Sequence, residues 1–205
     1  MASHGGRETE IKLAAPDAAA GRDILRRAGF HISRRKVFES NTVFDTPRRT
    51  LRAAGSLLRV RTAGRVVTLT YKGPSAAGSR HKSREELEVE LSDAHAAAAI
   101  VERLGFEPVF RYEKYRTEYC QTAGRGMAML DETPVGVYLE LEGPARWIDR
   151  TARQLGCAES EYITASYAAL YLGWCRLHGV APGHMLFARS QVGQALSSAT
   201  PLPGR

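Results

Sequence analysis

The chain has 205 residues, which is enough for one domain with a hydrophobic core and short for two. Its content of 43% hydrophobic and 25% charged residues is typical of a globular protein. The formal net charge of +7 indicates anionic partners, without distinguishing nucleotides from polyphosphate or nucleic acid.

The cysteines and the N-terminus narrow the class of protein. Cys120, Cys157 and Cys175 are scattered and form no C-x-x-C pair, so the sequence indicates neither a disulfide framework nor a zinc site. The N-terminus has no apolar signal core, and the chain has no apolar run of membrane-spanning length. Together these features predict a cytoplasmic protein.

Strand-like alternation recurs along the chain, interrupted by helical segments. Strands are predicted over residues 8–13, 32–44, 57–61, 66–72, 84–91, 109–121, 127–131 and 137–142. Helices are predicted over residues 17–29, 93–104, 148–155 and 162–177. Residues 1–179 are therefore interpreted as one domain. The Gly-, Pro-, Ser- and Ala-rich residues 180–205 are predicted to form a flexible tail.

Charged residues share one face of these strands, because side chains two positions apart point the same way. In the first strand Glu8, Glu10 and Lys12 lie opposite Ile11 and Leu13. The basic members of the row are Lys12, Arg59, Arg61, Lys72, Lys114 and Arg116. The acidic members are Glu8, Glu10, Glu86, Glu88, Asp131, Glu140 and Glu142.

In a single strand such a row is the ordinary sign of a solvent-exposed face. Its recurrence from strand to strand favours another interpretation, because like charges two residues apart repel unless an opposite charge lies between them. Seven or eight antiparallel strands can close into a barrel with the charged face inside. A polyanion held by the Lys and Arg side chains, with Mg²⁺ or Mn²⁺ on the carboxylates, would compensate the buried charges.

The order of these residues resembles one known family. Residues 8–12 match the E-x-E-x-K signature of the CYTH, or triphosphate tunnel metalloenzyme, superfamily. Residues 44–61 resemble its aromatic-D-T-P and L-R-x-R block, and Lys72 resembles its next lysine. The later motifs are similar in the same order, at residues 84–88, 114–116, 130–131 and 140–142. The resemblance covers residues 8–170.

The resemblance implies an α+β fold: a closed eight-stranded antiparallel β-barrel, the triphosphate tunnel, with helices packed on its outside. It implies a divalent-metal-dependent enzyme, and the six basic residues listed above are the predicted triphosphate ligands. Glu8, Glu10, Glu140 and Glu142 are the predicted metal ligands, followed by Asp131. Glu86 and Glu88 are assigned to a second metal or to orienting the basic side chains. No general base is assigned.

Three functions stay open from the sequence. The first is a triphosphatase acting on an inorganic or organic triphosphate, and the second is a class IV-type adenylyl cyclase that forms cyclic AMP and pyrophosphate. The third is a non-catalytic module that binds polyphosphate or RNA, which the basic net charge favours and the many carboxylates disfavour. Val43 and Asn41 replace a tyrosine and an acidic residue found in other family members, which argues against thiamine triphosphate as substrate. The expected partner is a small triphosphate, with neither a membrane nor a nucleic acid, and the oligomeric state is undetermined.

Overall fold

The computed structural model describes residues 6–76, 78–122 and 124–188, and within them the fold is α+β. The strands are β1 Gly6–Ala15, β2 His31–Asp45, β3 Leu57–Ala63, β4 Val66–Lys72, β5 Lys82–Leu91, β6 Glu107–Cys120, β7 Met127–Thr133 and β8 Gly136–Glu142. The helices are α1 Ala18–Arg27, α2 Thr50–Ala53, α3 Ala94–Arg103, α4 Ala145–Gln154 and α5 Tyr167–His178, with a 3₁₀ turn at Glu159–Glu161. None of the helices in these described ranges is both long and apolar enough to cross a membrane.

The strands close into an antiparallel barrel in the order β1-β5-β4-β3-β2-β6-β7-β8. This confirms the predicted eight-stranded barrel. In a ring of this order, β2 with its neighbours β3 and β6 lies opposite β1 with its neighbours β5 and β8. The register pairs Lys12 with Glu140 and Arg116 with Asp131 across adjacent strands, so opposite charges meet on the inner face.

The outer face of the barrel is apolar and is covered by the helices. Helices α1 and α4 pack on β1, β7 and β8 around Ile11, Leu130 and Ile148, each at most 1% exposed. Helix α3 packs on β3, β4 and β6. The alternation that puts aliphatic side chains under these helices directs the charged residues into the barrel, as the sequence predicts.

Helix α5 begins later than the periodicity predicts. The sequence indicates a helix over residues 162–177, whereas α5 starts at Tyr167, with the Ser166 hydroxyl accepting the N–H of Ala169. Ile163 is held outside the helix because its backbone exchanges hydrogen bonds of 2.8 and 2.9 Å with Lys12. This contact occupies an edge of β1 that β5 does not reach, since β5 pairs only with residues Gly6 to Glu10.

The first part of the predicted flexible tail is bound to the barrel, which corrects the sequence-based boundary at residue 180. The backbone of Met185 bonds to those of Arg111 and Glu113 on β6 at 3.0 and 2.9 Å, and its side chain is fully buried. The N–H of Phe187 donates to the Glu113 carboxylate at 3.0 Å. Met185 is therefore an apolar anchor within a stretch that also contains Pro182 and Gly183. Residues 189–205 lie outside the described part of the chain.

Candidate active site

The barrel encloses a cavity of about 1010 Å³. Its lining includes every site residue predicted from the sequence except Asp131. The strands that carry these residues are far apart in the chain, and barrel closure brings them around one space. The cavity has two chemically different sides, which we call the basic wall and the acidic wall.

The basic wall consists of Arg59 and Arg61 from β3 and Lys114 and Arg116 from β6. The Arg59 guanidinium donates to the Tyr112 hydroxyl at 3.0 Å and to Thr70 Oγ1 at 3.2 Å, and only 6% of the residue is exposed. Burial acts to lower the pKa of Arg59, but Tyr112 and nearby carboxylates raise it above its usual value. The wall therefore presents permanent positive charges and fork-shaped donors, which suit phosphate oxygens.

Asp131, which the sequence analysis places among the predicted metal ligands, lies behind the basic wall and does not line the cavity. The carboxylate is fully buried and accepts two bonds from Arg116, at 2.7 and 2.6 Å, and one from Lys114 at 2.8 Å. The Tyr167 hydroxyl also donates to it. Three of these four donors go to Oδ2 and one goes to Oδ1. Its role is therefore that of a counter-ion that orients Lys114 and Arg116 toward the cavity.

The acidic wall consists of Glu8 and Glu10 from β1, Glu86 from β5, and Glu140 and Glu142 from β8. Four of these carboxylates contact lysines that lie among them. Lys72 Nζ lies 2.6 Å from Glu8 and 3.1 Å from Glu86. Lys82 Nζ lies 2.7 Å from Glu10.

Lys12 joins the acidic wall to the rest of the network, at 3.3 Å from Glu10 and 3.2 Å from Glu140. Glu140 in turn lies 3.0 Å from Arg116 of the basic wall. Burial acts to lower the pKa of Lys12, but Glu140 and Glu10 raise it well above its usual value. Lys12 is therefore a fixed cation between the two walls.

Glu142 is the exception on the acidic wall, because it has no ion-pair partner among the described residues. Burial, followed by the charges of Glu8 and Glu140, raises the pKa of Glu142 to about 7. Burial is the largest cause of this shift, and the negative charges of Glu8 and Glu140, which no cation paired with Glu142 in the described residues offsets, add to it. The acidic wall can therefore accept an additional cation.

Carboxylate oxygens are the ligands that Mg²⁺ and Mn²⁺ prefer, so the donor set of the acidic wall fits a divalent metal. Within residues 6–76, 78–122 and 124–188, no group of three or more His, Cys, Asp or Glu side chains is arranged to hold a metal ion as it stands. The reason is visible in the contacts, since Glu8, Glu10 and Glu140 are occupied by lysines. Metal binding at this wall therefore requires some of these side chains to exchange partners.

Several functional side chains escape the sequence prediction. Lys82 lies in the same row as Arg84, but the Gly- and Ser-rich segment before it reads as a loop. Glu39 shares the inner face of β2 with Asn41, a spacing of two residues that could have revealed it. Tyr167 enters the barrel from helix α5, with Lys12 Nζ at 5.1 Å and Lys114 Nζ at 5.0 Å from its ring centre. No strand pattern could have revealed Tyr167.

Comparison with known proteins identifies the family. The family model of the CYTH domain matches residues 6–167. The chain is a member of the CYTH family. This confirms the resemblance in the sequence, and the matched range contains every residue of both walls.

Individual relatives of this CYTH domain are similar over most of its length. A provisionally named adenylate cyclase of Methanocaldococcus jannaschii is 32% identical over 136 residues, which are 66% of this chain and 75% of the relative. The structure of a provisionally named adenylate cyclase from Vibrio parahaemolyticus is 22% identical with a TM-score of 0.70, covering 82% of this chain and 98% of the other. A Hippeastrum protein, provisionally named an adenylyl cyclase and described as having a dominant triphosphatase activity, is 20% identical with a TM-score of 0.59, covering 85% and 97%. These two structural similarities concern the fold.

Proposed function

We propose that the chain is a divalent-metal-dependent enzyme that binds a triphosphate in the barrel and hydrolyses one of its phosphoanhydride bonds. The observation that carries the proposal is the opposition of the basic wall to the acidic wall across one cavity of about 1010 Å³. A site for a polyanion alone has no need of Glu8, Glu10, Glu86, Glu140 and Glu142. Carboxylates beside a phosphate site are favourable where a metal ion lies between the two.

The basic wall binds the phosphate chain in this proposal. Arg59, Arg61, Lys114 and Arg116 supply charge-assisted hydrogen bonds, and Lys12 and Lys72 add charges from the opposite side. Phosphoryl transfer needs little covalent chemistry from the protein, so positioning and charge neutralisation provide most of the rate. Asp131 behind the wall keeps Lys114 and Arg116 aimed at the cavity before the substrate arrives, which avoids reorganisation during the reaction.

Proteins of the CYTH family generally depend on a divalent metal. Glu8, Glu10, Glu140 and Glu142 would hold the metal here, and Glu86 and Glu88 would hold a second one or orient Lys72 and Arg59. Asp131 is left out of this set because, unlike the four glutamates, it does not line the cavity. A bound divalent metal supplies charge neutralisation on the phosphate and lowers the pKa of a water molecule that it binds.

A cyclase is the second candidate, favoured by the provisional adenylate cyclase names of the relatives from Methanocaldococcus and Vibrio. The same walls would then hold the triphosphate of ATP, with the ribose 3′-oxygen as nucleophile at the α-phosphorus. The triphosphatase is preferred for two reasons. It requires only the polar groups that line the cavity, and the Hippeastrum protein has a dominant triphosphatase activity.

Product analysis tests the proposal. Purified protein is incubated with tripolyphosphate, ATP or thiamine triphosphate in Mg²⁺ or Mn²⁺, and the products are separated. Release of inorganic phosphate supports the triphosphatase, whereas cyclic AMP with pyrophosphate supports the cyclase. Tight binding of a triphosphate without turnover under any condition would contradict both and favour a binding module. Arg61→Ala serves as the disabled variant, and Arg65→Ala, an exposed arginine in the turn after β3, is its matched control.

A further inference from the structure

Glu39 is a buried carboxylate among the cations of the basic wall, although it does not line the cavity. It lies on β2, between the strands that carry Arg61 and Lys114, and is 3% exposed. Its Oε2 lies 3.5 Å from Lys114 Nζ and 3.9 Å from Arg61 Nε. The same oxygen has no hydrogen-bond partner in the described structure.

Asp131 is the other carboxylate behind the basic wall. It contacts Lys114 and Arg116 at 2.6 to 2.8 Å and holds both in place. The contacts of Glu39 exceed normal hydrogen-bond lengths, so they place little geometric constraint on Arg61 or Lys114. Glu39 therefore acts on the wall mainly through its charge.

That charge is permanent. Burial acts to raise the pKa of the Glu39 carboxyl, but Lys114, Arg61, Arg116 and Arg59 together lower it well below its usual range. The surrounding cations therefore favour the ionised form of Glu39, which is unsuited to donating a proton. A fixed negative charge behind a phosphate site repels the phosphate that the wall attracts.

We propose that Glu39 is a positioning residue that limits the anion affinity of Arg61 and Lys114, so that the phosphate products can leave the barrel. The inference rests on the proposed triphosphate function and adds a determinant of product release to it. An uncompensated set of buried cations would hold a polyanion tightly in a water-excluded space. Other family members have an acidic residue at the position of Asn41. Glu39, two residues away on β2, supplies an acidic side chain near that position.

The test compares the affinity and turnover of the wild type with those of Glu39→Gln, which removes the charge and keeps the volume. Affinity is measured in Mg²⁺ by calorimetry with a tripolyphosphate analogue whose bridging oxygens are replaced by imido groups. We expect Glu39→Gln to bind it about three- to thirtyfold more tightly. Both kcat and KM for tripolyphosphate should fall, and inhibition by pyrophosphate should strengthen. Glu39→Asp, which keeps the charge, should restore wild-type affinity.

Asn41→Asp makes the opposite change in charge, because it adds a negative charge beside Arg61. It provides a second test if Glu39→Gln fails to fold. Asn41 Oδ1 already accepts from Arg61 Nε at 3.2 Å, so the new carboxylate would add negative charge beside the same arginine. We expect at least threefold weaker binding of the analogue. Glu132→Gln is the matched control, because Glu132 pairs with the surface residue Lys36 and loses the same charge outside the cavity.

The outcomes separate this inference from the proposed function. If the wild type binds the analogue and Glu39→Gln binds it equally or more weakly, Glu39 only supports the fold and the inference is wrong. Asn41→Asp with unchanged or tighter binding would contradict it in the same way. If the wild type itself neither binds nor cleaves a triphosphate, both the proposed function and this inference fail.

Discussion

The two walls of the cavity differ in how their charges are compensated. The basic wall has buried carboxylates behind it, with Asp131 in short contact and Glu39 at longer range. Its cations are therefore held in position while their open sides face the cavity. The acidic wall has its lysines among its own carboxylates, at the same cavity surface, and it leaves Glu142 without an ion-pair partner in the described structure.

One barrel can thereby prepare for two ligands of opposite charge in two different ways. Counter-ions behind a wall preorganise it, because they fix the side chains and leave the site accessible. Counter-ions among the carboxylates of a wall have to give up contacts when a metal binds, so the metal must be a stronger partner for the carboxylates than a lysine. By this comparison the anion site is formed in advance, whereas the metal site forms on binding.

Breaking the preorganised wall should have the largest effect. Arg116→Ala removes the bidentate partner of Asp131 and a contact of Glu140, which leaves two buried carboxylates undercompensated. Removing one member of a buried ion pair costs about 3–5 kcal/mol of unfolding free energy. We expect a loss of that size in urea unfolding, together with turnover below about 1% of wild type.

The control for this change is Arg34→Ala, because Arg34 forms an exposed ion pair with Glu118 at 3.3 Å. Exposed pairs contribute about 0–1 kcal/mol, so this variant should unfold almost as the wild type does. Equal losses in the two variants would mean that the charge network inside the barrel has no special role.

Breaking the acidic wall should affect turnover more than stability. Glu10→Gln removes one charge and little volume, and the amide can still accept a bond from Lys82. We expect the protein to remain folded while turnover at saturating Mg²⁺ falls about a hundredfold, as for loss of a ligand in metal-assisted phosphoryl transfer. Circular dichroism and a magnesium titration of the rate check the two parts. Wild-type turnover in this variant would remove Glu10 from the metal site.

The sequence predicts the barrel and its charged face well, because both depend on a repeat of two. The side chains of Glu8, Glu10 and Lys12 must share a face once their strand forms, whatever follows it in the chain. The family order of the motifs then indicates eight strands. The start of a helix is less predictable. Helix α5 begins late because the backbone of Ile163 bonds to Lys12, and the local sequence does not indicate this tertiary contact.

The predicted site is less complete than the predicted fold, for a physical reason. Alternation indicates which residues point inward, but it does not distinguish a carboxylate that lines the cavity from one behind a cation. Asp131 and Glu8 look equivalent in the sequence, yet Asp131 is covered by Lys114 and Arg116. Side chains that enter the site from a helix, such as Tyr167, are not part of any alternating strand pattern in the sequence.

A truncation tests the contacts that support Arg59 of the basic wall. Ending the chain after Gly179 removes Met185, which is fully buried beside Tyr112, the partner of Arg59. Losing a buried methionine costs about 2–3 kcal/mol. We expect a lower melting temperature and weaker triphosphate binding. Ending the chain after Ala188 is the matched control and should change neither. Full stability after truncation at Gly179 would show that the anchor is dispensable.

The smallest expected effect concerns Glu142, and its sign depends on pH. The folded pKa of about 7 lies above the ordinary 4.5, so between these values the folded state holds a proton that the unfolded state has lost. Stability of the metal-free protein therefore falls as pH rises from 4.5 to 7 and stays low above it. Glu142→Gln has no carboxyl to titrate, so it avoids this loss of stability. We expect the variant to be more stable than wild type by on the order of 1–3 kcal/mol at pH 8 and equal to it at pH 4.5.

Magnesium should reverse this advantage, because the same uncompensated charge that destabilises the metal-free fold attracts a cation. Thermal melts at pH 8 should show a larger rise in melting temperature on adding Mg²⁺ for the wild type than for Glu142→Gln. Glu90→Gln is the control, because Glu90 is exposed near the C-terminal end of β5. This variant should respond to Mg²⁺ as the wild type does. If Glu142→Gln gains no stability at pH 8 without metal, the acidic wall has no surplus charge. The contrast between the two walls would then be reduced to the position of their counter-ions.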